Sequence, residues 1–96
     1  MREYTIDLTR ATDFDGVVAA FNAGFCCHHG ERWYGRSWDA FEDLLYTALG
    51  EEAQGPTARV RLRFRGWARC AGLSARDRDI IDGILAGIPQ IETVRD

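Results

Sequence analysis

The sequence contains no lysine, so all 12 of its basic residues are arginines. Its three cysteines, Cys26, Cys27 and Cys70, are an odd number that includes an adjacent pair, which is a poor framework for disulfides and predicts reduced thiols. No stretch approaches the roughly 18 apolar residues of a membrane helix, and no apolar run follows Arg2 as it would in a signal peptide. Glycine-rich phosphate loops are also missing. These absences predict a cytoplasmic protein that contacts no membrane and holds no cofactor.

The length of 96 residues suits one domain that spans residues 1–96 and builds a single core. The net charge of −3 is distributed unevenly along the chain. Residues 31–52 carry two arginines and six acids, whereas residues 53–74 carry five arginines and no acid. The acidic block and the basic block therefore each need an explanation.

Three segments alternate between apolar and polar residues, as strands with one buried face do. They cover residues 4–8, residues 59–65 and residues 90–94. The middle segment is the cleanest, because Val60, Leu62 and Phe64 alternate with arginines. It predicts a strand with one apolar face and one face made of arginine.

Helices are predicted between these strands. Thr12 or Asp13 caps the first helix, which Gly24 ends, and residues 25–32 are expected to be irregular. Ser37 caps the second helix, which runs to about Leu49. Ser74 and Asp77 have capping-box spacing for a third helix over residues 75–88, and Gly50–Pro56 is predicted to be a polar loop. The order β-α-α-β-α-β predicts a two-layer α/β fold with a parallel sheet in the order 1-2-3. Because the middle strand has an arginine face, the helices are expected on one side of the sheet only.

The second helix carries two opposed stripes at 100° per residue. The apolar stripe consists of Trp38, Phe41, Leu44, Leu45, Ala48 and Leu49. The opposite stripe consists of Asp39, Glu42, Asp43 and Tyr46. Carboxylates three and four residues apart repel each other, so the polar stripe favours either a solvated face or a cationic partner.

The segment at residues 33–44 resembles the signature segment of the barstar family, with two aromatic residues and a glycine leading into a helix that carries Asp-Ala and a second Asp. The matching residues here are Trp33, Tyr34, Gly35, Trp38, Asp39, Ala40, Phe41 and Asp43. Members of that family inhibit microbial ribonucleases inside the producing cell. The resemblance implies the two-layer barstar-like fold and an inhibitor without catalytic activity. It also implies one protein partner, a secreted guanyl-specific ribonuclease of the same bacterium, which the inhibitor counters as an antitoxin does.

The resemblance also implies roles for particular residues. Trp33 and Gly35 would lie on a loop that touches the ribonuclease. Asp43 would enter the phosphate-binding pocket of that enzyme, and Asp39 would contact its guanine-recognition loop. The complete predicted contact set is Trp33, Gly35, Arg36, Ser37, Trp38, Asp39, Glu42, Asp43 and Tyr46. Asp79 or Asp82 would take the place of an acid that the family uses in its last helix. Glu51, beyond the second helix, would contribute little to binding.

Two other functions remain open on the sequence. Cys26, Cys27, His28 and His29, with Cys70 as an outside ligand, could bind a metal or include a catalytic Cys–His pair, although contiguous residues converge poorly on one ion. A protein-interaction module with a partner other than a nuclease is the second alternative.

The arginines of the middle strand are expected to pair with Glu3, Asp7 and Glu92 on neighbouring strands rather than to bind nucleic acid. The free protein is expected to be a monomer.

Overall fold

The structure is a computed structural model that describes residues 1–53, 55 and 59–96, except the side chains of residues 51 and 52. Its order of elements is the predicted one, with two short 3-10 helices added. The elements are β1 (Arg2–Asp7), α1 (Phe14–Gly24), η1 (Cys26–His29), α2 (Trp38–Leu49), η2 (Gly50–Ala53), β2 (Val60–Arg65), α3 (Ala75–Ala86) and β3 (Ile91–Arg95). The predicted loop Gly50–Pro56 thus begins with η2, and its remainder lies partly outside the described residues. No helix among the described residues is long and apolar enough to cross a membrane.

The three strands form one parallel sheet in the order β1-β2-β3, as predicted. Leu62 of β2 lies opposite Tyr4 of β1 and Thr93 of β3. The face of β2 that carries Val60, Leu62 and Phe64 is completely buried under the helices. Arg61 and Arg63, on the other face, are partly exposed. The sheet therefore has one covered face and one open face, which confirms the two-layer prediction.

Ion pairs across the strands neutralise the open face of the sheet. The Nε and Nη1 atoms of Arg63 lie 2.9 Å from carboxylate oxygens of Glu3 and Asp96, and both contacts raise the pKa of its guanidinium. Arg61 lies 3.3 Å from a carboxylate oxygen of Glu92. These pairs confirm the predicted cross-strand pairing with Glu3 and Glu92. The predicted pairing with Asp7 is not found, because the Asp7 carboxylate accepts hydrogen bonds from Thr9 instead. The pairs disfavour the nucleic-acid alternative, since the two central cations already have partners.

Side-chain caps start the three α-helices where the sequence predicts them. Asp13, rather than Thr12, accepts a hydrogen bond from the Gly16 amide at 2.8 Å. The Ser37 hydroxyl accepts one from the Ala40 amide at 3.1 Å. Ser74 and Asp77 form the predicted capping box.

The end of α3 differs from the prediction of residue 88. The helix ends at Ala86 with Gly87 as its C-cap, because Pro89 disfavours a helical conformation at the preceding residue, Ile88. The predicted end at residue 88 therefore lies beyond the observed end at Ala86. The buried side of the helix is as expected, with Ile81, Ile84 and Leu85 in the core.

Candidate protein-binding site

Helix α2 presents its polar stripe to the surface, as predicted from the sequence. Asp39 and Asp43 are exposed, and Tyr46 is 47% exposed. On the opposite side, Phe41 and Leu45 are fully buried. Glu42 of the polar stripe is half-buried rather than exposed. Trp38, Leu44 and Ala48 of the apolar stripe are only half-buried, although they pack against the core.

The carboxylates of α2 lack cationic partners within the part of the chain that the structure describes. No arginine or histidine nitrogen there lies within 4.0 Å of a carboxylate oxygen of Asp39, Glu42 or Asp43. Asp39 lies in the first turn of α2, where the positive end of the helix dipole favours a negative charge. Glu42 and Asp43 have no such compensation, and the free protein retains the repulsion of each from Asp39, which precedes them by three and four residues.

The loop that leads into α2 is fixed by two hydrogen bonds from α1. The side-chain amide of Asn22 donates to the Trp33 carbonyl at 2.8 Å and accepts from the Trp33 amide at 2.7 Å. Gly35 has a φ of +74°, and a Cβ added there would lie 2.6 Å from a methyl carbon of Val18. This half-buried glycine lets the loop approach α1 closely and turn into the cap at Ser37.

Trp33 does not lie on the surface, contrary to the expectation that it touches a partner. Its side chain is 2% exposed, and its indole nitrogen donates to the Ser37 carbonyl at 3.2 Å. The ring packs among aromatic side chains of α1 and α2, with centroid distances from 4.8 to 5.8 Å. These neighbours are Phe14, Phe21, Trp38 and Phe41. Trp33 is therefore part of the hydrophobic core, and its hydrogen bond to Ser37 helps to position the start of α2.

Trp38 is half-buried and links α2 to α3. Its indole nitrogen donates to Asp77 Oδ1 at 3.2 Å, and the same carboxylate accepts the Ser74 amide at 3.0 Å. Partial burial raises the pKa of Asp77, but the hydrogen bonds from Ser74 and Trp38 outweigh it and hold the pKa below its ordinary value. The sequence revealed the capping role of Asp77 but gave no sign of its contact with Trp38.

Among the described residues, neither acid proposed for the last helix forms a hydrogen bond or an ion pair with a side chain of α2. Asp82 forms an ion pair with Arg95 of β3, and Asp79 is exposed. Asp77 is instead the acid of α3 that reaches the side chain of a predicted contact residue, Trp38. The remaining predicted contact residues, Arg36 and Ser37, are exposed at the start of α2.

The Cys–His segment forms η1, which packs on β1. All three cysteines are free, and burial raises the pKa of Cys26 to about 11, so its thiolate is scarce at neutral pH. The Cys27 thiol is exposed and donates to the Ala23 carbonyl at 3.2 Å. His29 is held between the Phe25 carbonyl and the Tyr4 hydroxyl. The described residues contain no group of three or more histidine, cysteine or carboxylate side chains placed to hold a metal ion. These contacts do not favour the catalytic alternative for Cys26.

A parallel sheet in the order 1-2-3, with helices on one face and an acidic second helix, places the chain among small α/β proteins of the barstar-like class. The sequence profile of the family described as Barstar (barnase inhibitor) matches residues 1–93 of the chain. The chain therefore belongs to the Barstar family, whose members are inhibitors of a ribonuclease rather than enzymes. Comparisons with curated proteins and with solved structures gave no significant match.

Proposed function

We propose that this chain inhibits a secreted, guanyl-specific ribonuclease of the same bacterium by covering the active site of that enzyme with α2. The inhibitor would act in the cytoplasm and protect the cell in the manner of an antitoxin. One observation supports this mechanism above the others. Among the residues that the structure describes, the acidic side chains of α2 have no cationic partner, whereas the central arginines of the sheet are paired within the fold.

The mechanism follows from complementary charge. A ribonuclease active site must be cationic, because it stabilises a phosphodiester and its transition state. In the proposed complex, Asp43 occupies the phosphate-binding pocket, and Asp39 contacts the loop that recognises guanine. Glu42 and Tyr46 complete the helical surface. The inhibitor forms no covalent bond and supplies no catalytic group, since occupation of the site is sufficient to exclude RNA.

The rigid start of α2 supports tight binding. Arg36 and Ser37 lie between the glycine turn at Gly35 and the first turn of the helix, and the Ser37 cap holds that turn in place. Trp38 is fixed to α3 through Asp77. A surface that is already ordered loses little conformational entropy when a partner binds, so more of the contact free energy appears as affinity.

Inhibition assays test the proposal directly. The purified chain is titrated into assays of barnase and of the guanyl-specific secreted ribonucleases encoded in the same genome, with a dinucleotide substrate. We expect inhibition that is complete at one chain per enzyme and competitive with substrate. A pancreatic-type ribonuclease serves as the control for general inhibition by an acidic protein. The proposal is wrong if the guanyl-specific enzymes retain full activity, or if both types of ribonuclease are inhibited equally.

A further inference from the structure

The carboxyl ends of the three strands meet at one edge of the sheet, where a depression of about 360 Å³ opens to solvent. Its lining residues lie at or just beyond the ends of the strands. They are Thr9, Gly66, Ala68, Arg69 and Asp96. The Trp67 amide donates to the Asp96 carbonyl at 3.3 Å, which joins the loop after β2 to the end of β3. In open α/β sheets, ligands bind outside the carboxyl ends of the strands, so this depression is a candidate ligand site.

Three exposed arginines give this edge of the sheet its positive charge. Arg69 lines the depression, and Arg10 and Arg65 are next to lining residues in the chain. In the part of the chain that the structure describes, none of the three lies within 4.0 Å of a carboxylate oxygen. They differ in this respect from Arg61 and Arg63 of the open face, whose guanidinium groups are paired. Unpaired guanidinium groups that share one edge favour the binding of an anion there.

Two carboxylates lie at the same edge, and each already has partners within the fold. Asp96 forms an ion pair with Arg63 at 2.9 Å. Asp7 accepts hydrogen bonds from the hydroxyl and the amide of Thr9, which lower the pKa of its carboxyl, and attraction to Arg65 lowers it further. Asp7 can offset only one of the three unpaired arginines, so the edge retains a surplus of positive charge.

The loop between β2 and α3 adds a backbone donor to the depression. The guanidinium of Arg78 donates to three carbonyls of this loop at 2.8 to 3.3 Å, those of Trp67, Cys70 and Leu73. In a planar trans peptide, the N–H points in the direction opposite to the carbonyl. Because the Trp67 carbonyl points to Arg78, the Ala68 amide points away from it. Ala68 is exposed and lines the depression beside Arg69.

We propose that this edge binds a phosphate group, either inorganic phosphate or the terminal phosphate of a mononucleotide, through Arg65, Arg69 and the Ala68 amide. The planar guanidinium group matches two oxygens of a phosphate at once, and its charge strengthens both hydrogen bonds. A terminal phosphate also carries more negative charge than a phosphodiester, which suits an edge with several unpaired cations. The proposal uses no residue of the acidic stripe of α2, so it stands apart from inhibition of a ribonuclease.

Titrations of the isotope-labelled chain, followed by the chemical shifts of its amides, test the proposal. Inorganic phosphate and adenosine monophosphate are added separately at constant ionic strength, and acetate serves as the control anion. We expect saturating shifts at Thr9, Gly66, Ala68 and Arg69, with a Kd at or below about 1 mM for at least one of the two phosphates. Arg69→Gln should raise that Kd at least about tenfold.

Arg59→Gln is the matched control, because it removes the same charge from an exposed arginine that precedes β2, at the opposite edge of the sheet. It should leave Kd within about twofold of the wild-type value. Thermal melts without phosphate should agree within about 2 °C for the wild type and both variants, since all these side chains are exposed.

The possible outcomes separate the sources of the phosphate. Inorganic phosphate that binds at least as tightly as adenosine monophosphate would support a site for the free ion, and the reverse order would support a site for a mononucleotide. Shifts that do not saturate, or that acetate produces equally, would overturn the proposal. An equal rise in Kd for Arg69→Gln and Arg59→Gln would also overturn it, because net charge alone would then explain binding. Tighter binding of a dinucleotide without a terminal phosphate would overturn it as well, since the edge would then favour an RNA backbone.

Discussion

The acidic face of α2 and the arginine face of β2 both bear dense charge of one sign in the sequence, but the fold treats them differently. On the sheet, acids from β1, from β3 and from Asp96 lie across from the central arginines. On α2, no described cation approaches the carboxylates of Asp39, Glu42 and Asp43. Charge that the fold has paired contributes to the protein's own structure, whereas charge that it leaves unpaired is available to a partner.

The difference arises from the geometry of the two elements. A central strand has neighbours on both sides, and cross-strand side chains lie close together on the same face. Arg63 therefore meets Glu3 from one side and Asp96 from the other. The outer stripe of a helix in a two-layer fold has no facing element. Its neighbours are residues three and four positions away, and in α2 the nearest of these are also acids.

Removal of Asp43 should have the largest effect that distinguishes the two faces. Asp43→Ala removes a carboxylate that would be desolvated against cations of the ribonuclease, and loss of one partner of such a pair costs about 2–5 kcal/mol of binding free energy. Folding stability should hardly change, because the exposed side chain leaves no cavity. Isothermal titration or surface kinetics, with a thermal melt of each variant, measure both quantities.

Glu92→Ala is the matched control for Asp43→Ala, because each variant loses one negative charge. Glu92 is paired with Arg61 on the opposite side of the molecule, and its loss should cost about 0–1 kcal/mol of folding stability and leave inhibition intact. Equal loss of affinity in both variants would show that only the net charge matters, and the distinction between the two faces would disappear. Glu51, the position expected to matter little, is less suitable because its side chain lies outside the described residues.

Gly35→Ala should disturb the acidic face without changing its charge. The residue has a φ of +74°, and its new Cβ would lie 2.6 Å from a methyl carbon of Val18, so either the loop or α1 must shift. A non-glycine residue in this conformation costs about 1–2 kcal/mol, which denaturant unfolding should detect. Inhibition should weaken as well, since the loop positions the start of α2. Gly30→Ala, which also has a positive φ but has open space around its Cβ, is the control for the backbone strain alone. An equal loss of inhibition by both would contradict the role of the close contact with α1.

The smallest expected effect concerns Asp77, whose carboxylate already accepts hydrogen bonds from Trp38 and Ser74 within the fold. Since the pKa of Asp77 in the folded protein is lowered from the ordinary value of an aspartate, the stabilisation it provides is present above that ordinary value and is lost as the pH falls through the lower folded-state value. Asp77→Asn should therefore be less stable than wild type at neutral pH, and the gap should narrow at acidic pH. Unfolding curves recorded at a series of pH values measure this gap.

Asp79→Asn is the control, because it removes a carboxylate from the same helix and leaves the hydrogen bonds of Asp77 with Ser74 and Trp38 intact. It should not reproduce the loss of folding stability that Asp77→Asn shows at neutral pH. A gap between wild type and Asp77→Asn that stays constant down to acidic pH would show that those bonds do not depend on the charge of the carboxylate.

The sequence by itself determined the order of the α-helices and strands, the N-caps at Ser37 and Ser74, the range of α2 and the open face of the sheet. For the first helix it left Thr12 and Asp13 as alternative caps, and the structure shows Asp13. These features follow from patterns within one element, where a period of two or of 3.6 residues and a capping side chain carry the information locally. The acidic stripe of α2 was visible for the same reason, and Asp39 and Asp43 are exposed as that pattern predicts.

Only the tertiary structure decided which member of the Trp33–Tyr34 pair faces inward, because a loop has no periodicity that assigns its side chains to a face. The Trp33 ring packs beside Phe21 and Phe41, and the Asn22 side chain holds the Trp33 backbone in that position. The bond between Trp38 and Asp77 joins residues that are 39 positions apart, and it forms only when α2 and α3 pack together. Local patterns thus specify the elements and their faces, whereas contacts between distant elements depend on the packing that brings those faces together.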